Sequence, residues 1–324
     1  MPLLKLIPDN TNIDFMRVRN VALILSILVT AASIALVFTR GLNLGVDFVG
    51  GQMVRVTFSH APQLDDLRSR VDGLGHGEAS LQEFGSPNVI AIRMPLPEGG
   101  EEAASRAASD VRQVITQRYP DARFDAVETV SGKVSEELFR SGAWAIALAM
   151  LGIAVYIWIR FEWQFGIGAL VTLFHDVWMT LGFFSLTQLE FNLNVIAAIL
   201  TIVGYSLNDT VVIYDRIREN LRKFRKMDIV PLLNLSLNET LSRTMVTSLS
   251  ILLALLALLL VGPDVIFGLT IAIFVGIFVG TYSSIYISSP ILVWLRVTSD
   301  SFRPKDPIGR AEKGPRNEDY GARV

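Results

Sequence analysis

Cysteine is missing from all 324 residues, so neither a disulfide framework nor a thiolate metal site is open to this chain. Charge is scarce as well. Only 19% of residues are charged and 51% are hydrophobic, against about 25% charged in soluble proteins. A mean hydropathy of +0.44 points the same way, and together these exclude an ordinary soluble globular enzyme. Concentrated basic charge is also lacking. A net charge of −2 and a pI near 6.0 do not describe a polyanion binder, which needs a clustered cationic surface to hold phosphate. No nucleic-acid partner is expected, and no catalytic constellation, cofactor site or metal site is found.

What the chain does have is long apolar runs. The first, Val21 to Thr39, is bounded by Arg17, Arg19 and Arg40; at 1.5 Å per residue it reaches roughly 28 Å, close to the hydrocarbon thickness. Its exit, Arg40-Gly41-Leu42-Asn43, offers no small-residue cleavage site, so it reads as an uncleaved signal anchor. Five more follow: Gly142 to Ile159, Phe165 to Leu186, Leu193 to Tyr214, Thr247 to Val261 and Val265 to Leu295. The expectation is an α-helical polytopic membrane protein with six transmembrane helices. Its parts are a cytoplasmic segment 1–20, a first span 21–40, an extracytoplasmic domain 41–137, a five-helix membrane domain 138–295 with a cytoplasmic loop 215–246, and a disordered tail 296–324.

Orientation follows from Lys and Arg in the short loops, which stay on the cytoplasmic side. Arg216, Arg218, Arg222, Lys223, Arg225 and Lys226 follow the fourth span, and Arg296, Arg303, Lys305 and Arg310 follow the sixth, whereas 187–192 and 262–264 carry neither Lys nor Arg. Both termini are therefore expected in the cytoplasm.

The segment between the first two spans alternates like a strand over Gln52 to Ser59 and takes helical spacing over Gln63 to Leu74. Strands are expected at Glu78 to Gly85 and Asn88 to Met94, a helix at Glu101 to Arg118, and a last strand at Arg123 to Ser131. The order βαββαβ predicts a small α+β, ferredoxin-like domain. His76 lies in a Gly-rich turn and is read as solvated. The entry to the domain, with Gly45, Asp47, Gly50 and Gly51, is too Gly-rich for an ordinary strand and is read as a turn. A strand rather than a helix follows it, so it is not a phosphate loop.

Ionisable groups inside the spans carry the chemistry, since each costs about 2.5 to 3.5 kcal/mol at a helix centre. Asp209 lies in the fourth span, after Asn208. It is either a site that loads and releases a proton or a polar contact between helices. Arg243, expected just before the fifth span, is its natural counter-charge, or equally a topogenic or snorkelling anchor. His175 and Asp176, near the middle of the third span, read as a proton relay or an interhelical hydrogen-bond pair. For Asp215 and Arg216 an interfacial ion pair is the default.

Gly268, Ala272, Gly276, Gly280, Ser284 and Ser288 recur every four residues along the sixth segment. On a helix they form a small-residue stripe that lets another helix approach closely. Pro290 is expected to bend or end that helix.

Four separated motifs, 44–51, His175-Asp176, 204–220 and 280–290, together resemble the SecF family of bacterial protein-export subunits. The resemblance extends over nearly the whole chain. It implies an RND-superfamily half that pairs with SecD, works with the SecYEG translocon and YajC in the inner membrane, and uses the proton-motive force to promote export of unfolded polypeptides. It also implies that Asp209 and Arg243 belong to the proton route. Some relatives are thought to use Na+, so the coupling ion stays open between H+ and Na+. Three other readings stand beside this one: half of an RND-type lipid or small-molecule exporter, an intramembrane aspartyl protease built on Asp176 and Asp209, and a non-energetic assembly factor. The protease's Gly-x-Gly-Asp signature is missing.

Overall fold

The computed structural model describes residues 11–297 except 98 and 126. Most of the tail expected to be disordered, 298–324, lies outside the described residues. The helices are α1 Arg19–Arg40, α2 Val46–Val49, α3 Leu64–Asp72, α4 Gly100–Arg118, α5 Gly132–Arg160, α6 Trp163–Thr187, α7 Leu193–Lys223, α8 Ile229–Val261, α9 Phe267–Tyr286 and α10 Ser288–Trp294. The strands are β1 Gly51–Thr57, β2 Ser80–Phe84, β3 Ser86–Met94, β4 Arg123–Phe124 and β5 Glu128–Val130. Six helical stretches are long and apolar enough to cross a membrane: Phe15–Arg40, Gly132–Arg160, Trp163–Thr187, Leu193–Lys223, Ile229–Val261 and Phe267–Trp294. This is a multi-pass membrane protein.

The six are not equivalent. In the most apolar window of each, 56%, 50% and 44% of residues are buried for α6, α7 and the α9–α10 stretch, against 17%, 11% and 17% for the α1 stretch, α5 and α8. The first three form the centre, and the others turn apolar flanks outward, with Phe38, Trp158, Ile159 and Leu260 exposed.

Between α1 and α5 lies the βαββαβ domain, with strand order β2-β3-β1-β4, all antiparallel, and β5 paired to the other end of β1. Its core is Val54, Val56, Leu67, Val71, Ile92, Val111 and Ile115, from alternate positions on β1 and one face each of α3 and α4, so the sheet is covered on that side by both helices. His76, read as solvated, hydrogen-bonds Asp110 at 2.9 Å and so ties the turn after α3 to α4.

Several local features differ from the sequence reading. The Gly-rich entry contains one turn of helix, α2, ended by Gly50 at φ +75°. The last strand is interrupted into β4 and β5. Helix α8 begins at Ile229, about five turns before the hydropathy signal at Thr247, so Arg243 lies inside a continuous helix. The sixth segment breaks at Ile287, three residues before Pro290. Proline has no N–H to offer the carbonyl of Tyr286, and its ring crowds that carbonyl, so the backbone turns one residue after it. Asp215 and Arg216 do not pair with each other: Asp215 meets Arg160 at 3.2 Å, while Arg216 meets Glu219 and Glu239, each at 2.7 Å. Consecutive residues on a helix point about 100° apart, which favours partners elsewhere.

Candidate functional site

The site is built where α9 lies against α7. A Cβ on Gly276 would land on the side chain of Ile202, and one on Gly280 would lie 3.3 Å from Ser206 Cβ. The small-residue stripe therefore lets α9 run close along the Ile202, Ser206 and Asp209 face of α7, with Ala272 fully buried in the same seam. Gly268, at the far end, has more room, its nearest neighbour being Val195 Cγ2 at 3.9 Å.

Close approach is what brings hydroxyls to the two membrane carboxyls. Ser284 Oγ donates to Asp209 Oδ2 at 2.7 Å, and Thr244 Oγ1 of α8 donates to Asp209 Oδ1, also at 2.7 Å. Asp176, fully buried on α6, accepts from Ser206 of α7 at 2.5 Å and from Ser283 of α9 at 2.9 Å. His175 Nδ1 shares a hydrogen bond of 2.9 Å with Asp176 Oδ1. Its ring lines a groove of about 320 Å³ between α1, α6 and α10. Asp176 and Asp209 thus lie in one layer of the bundle, connected through two adjacent serines.

Arg243 is exposed. It is near enough to act on Asp209 electrostatically, yet among the described residues the contacts to Asp209 are hydroxyls, and no ion pair within 4 Å joins the two. Asn208 is exposed beside them. Thr244, Ser206 and Ser283 escape a sequence reading because a hydroxyl in a span costs little and carries no charge signal. Their clue is position: Ser206 is three residues before Asp209, and Thr244 directly follows Arg243.

A hydroxyl partner suits a carboxyl that changes protonation state. It donates to the carboxylate and, after rotation, accepts from the carboxylic acid, so neither form leaves an unpaired group. A guanidinium in contact offers only donors and would fix the charged form.

The entry motif reaches the same helix from its other end. Asp47 Oδ2 accepts the Leu193 N–H at 2.9 Å, at the N-terminus of α7, while Asn192 caps Asn194 and Val195. Gly51 sits at φ +122°, where a Cβ would lie 2.7 Å from Met94 O, and Gly50 lies 3.1 Å from the Gly132 backbone by the same measure. Both positions require glycine.

The family described as "SecD/SecF GG Motif" matches residues 35–62, and that described as "Protein export membrane protein SecD/SecF, C-terminal" matches residues 110–298. The chain belongs to the SecD/SecF family. Its SecF character is carried by similar proteins named "Protein translocase subunit SecF". That of Rickettsia conorii is 44% identical over 89% of this chain and 94% of its own length, and that of Pseudomonas aeruginosa 42% identical over 90% and 94%. Among solved structures, SecDF of Thermus thermophilus, described as a translocon-associated membrane protein, matches with a TM-score of 0.83 at 35% identity, covering 90% of this chain and 40% of that one. A SecDF structure in a "Super-membrane-facing form" gives 0.66, also at 35%, with 91% and 40% covered. This SecF-family chain thus spans well under half the length of the SecDF chains it resembles.

Proposed function

We propose that this chain is the SecF-type half of a two-subunit protein translocase, pairing with a SecD-like subunit to couple ion entry across the bacterial inner membrane to the outward movement of exported polypeptides. In this reading both termini are cytoplasmic, the βαββαβ domain is on the outer side, and the pair works beside SecYEG and YajC. The partner supplies what the longer SecDF chains contain beyond the matched 40%. The apolar outward faces of α1, α5 and α8 are available to lipid and to that partner.

The observation that carries the ion-coupling step is the hydroxyl-only contact shell of Asp209, 7% exposed between α7, α8 and α9. Protonation of Asp209 from the outer side removes its charge and reverses one of its two hydroxyl contacts, Ser284 or Thr244, whichever faces the new O–H, while the other hydroxyl goes on donating. Loss of the proton toward the cytoplasm restores the charge and both donated bonds. Arg243, at a distance, biases that exchange without locking it. His175 and Asp176 form a second hydrogen-bonded cluster with Ser206 and Ser283, held beside the Asp209 cluster because Ser283 and Ser284 are neighbours on α9. A proton crossing the membrane releases about 2.3 kcal/mol per 100 mV, enough to shift a two-state helix arrangement more than tenfold. No covalent catalysis is involved.

The test is export and ion flux in vesicles holding this chain with its SecD-like partner, under a proton gradient or a sodium gradient. Asp209→Asn abolishes gradient-driven export and flux, and Arg243→Ala lowers both. Unchanged flux and export in Asp209→Asn would overturn the reading, and a response to sodium alone would reassign the coupling ion.

A further inference from the structure

The turn between α6 and α7 holds a second carboxyl that the Asp209 site does not use. Glu190 is 7% exposed although it lies outside the spans. The entry segment closes over it: Phe191 N donates to Asn43 O, and Gly45 N to Phe191 O, each at 2.8 Å. From the βαββαβ domain, Gln82 Nε2 reaches Gln188 O at 2.6 Å, and Asn43 hydrogen-bonds both Gln82 and Gln188 O. The closure is tight. A methyl group at Gly45 would sit 2.6 Å from Glu190 Oε1 and 3.1 Å from Asn192 Cβ.

The groups facing Glu190 come from four elements: Arg93 of β3, Arg55 of β1, Glu128 of β5 and Asp47 of α2. Neither arginine lies within 4 Å of it among the described residues. Arg55 is instead paired with Glu128 and stacked over Phe84 at 4.8 Å. Glu190 is therefore a buried acid, close to cations without touching one, sealed by the backbone of a domain that hangs from the turn.

We propose that Glu190 is a proton-binding site at the junction of the helix bundle and the βαββαβ domain, and that the domain is held down while this carboxyl is protonated and loosened when it ionises. An ionised carboxylate in a closed pocket with no cation in contact is costly, and lifting the domain lets water reach it. Burial pushes the Glu190 carboxyl above its ordinary range; Arg93 and Arg55 oppose this, and Glu128 and Asp47 add to it. The closed form then binds the proton more tightly than an open, solvated one, so by linkage acid favours closure and rising pH favours release. None of this depends on the role of Asp209, and the readout below is a distance rather than export.

Since the chain has no cysteine, Ser59→Cys and Thr187→Cys, both exposed positions, can carry spin labels in the full chain in lipid nanodiscs. Their distance distribution is read from about pH 5 to about pH 9, a range that brackets a carboxyl raised from its ordinary value. In the labelled parent the closed population dominates at the acid end. The closed-to-open ratio falls by up to about tenfold per pH unit across the titration, with a midpoint above the ordinary glutamate value. Glu190→Gln stays closed throughout, and Glu190→Ala, which has no carboxyl to titrate, gives a ratio that does not change with pH. A parent distribution that does not change with pH overturns the proposal, as does a Glu190→Gln profile that follows the parent. If Glu190→Gln fails to fold, Glu190→Ala decides: a parent-like pH response there also overturns it.

Discussion

Ser284 donates to Asp209 at 2.7 Å while its chain neighbour Ser283 donates to Asp176 at 2.9 Å. Adjacent residues on α9 thus hold carboxyls from two different helices, and any rotation or sliding of α9 changes the surroundings of both acids together. This links local chemistry to helix motion through contacts rather than through a continuous wire.

Removing the hydroxyls should therefore weaken coupling without touching the carboxyl. Ser284→Ala and Thr244→Val each delete one donor to a buried acid, at a cost of about 1 to 3 kcal/mol. Each is expected to lower gradient-driven export by roughly tenfold or more, and the double variant further, while Ser284→Thr retains most of it. Export per reconstituted subunit measures this. Parent-level export in the double variant would show that Asp209 needs neither partner.

Asp176 has a larger structural share, since it is fully buried and bonds Ser206, Ser283 and His175. Asp176→Ala leaves these groups without their acceptor and is expected to cost about 2 to 4 kcal/mol. Asp176→Asn keeps an acceptor oxygen and loses less. Thermal unfolding in detergent distinguishes the two, and equal stability of Asp176→Ala and parent would refute the assignment.

The seam between α7 and α9 admits a rescue test. Gly276→Ala places a methyl on Ile202 and is expected to destabilise by about 1 to 3 kcal/mol through overpacking. Adding Ile202→Ala vacates that space and should recover much of the loss. A double variant no better than Gly276→Ala alone would mean that the two side chains do not compete for the same volume.

At the other end of α7, Asp47→Ala removes the acceptor for Leu193 N–H. A lost cap of this kind costs about 0.5 to 2 kcal/mol, so faster amide exchange is expected over the first turn of α7, with Asp47→Asn less affected. Exchange unchanged in the alanine variant would contradict the capping role.

The six spans were legible because twenty-residue apolar runs have few other uses, and the βαββαβ order because Met53 to Phe58 and Leu64 to Val71 keep distinct periods. Other features were hidden for physical reasons. Helix α8 is buried at Leu232, Leu233, Ser236, Leu237, Thr240 and Thr244, a helical rhythm carried partly by Ser and Thr, so hydropathy misses its first half. Helix α2 is four residues long, too short for any period to emerge. Asp176 and Asp209 stood out as charges in oil, whereas the hydroxyls that serve them, and the contacts that enclose Glu190, come from distant segments and become visible only when those segments pack together. Placement of both residues near the cytoplasmic ends of their spans offered Arg243 as a counter-charge to Asp209, or equally as an anchor, while among the described residues the contacts to Asp209 come from Thr244 and Ser284.

Exchange of a proton at Asp209 while the protein works is read out by infrared difference spectroscopy on the chain with its partner in vesicles, following the protonated-carboxyl band that Asp209→Asn removes. This band is expected to grow and fade as the imposed proton gradient is reversed. A band that is constant, or absent, under both gradients during active export would contradict it.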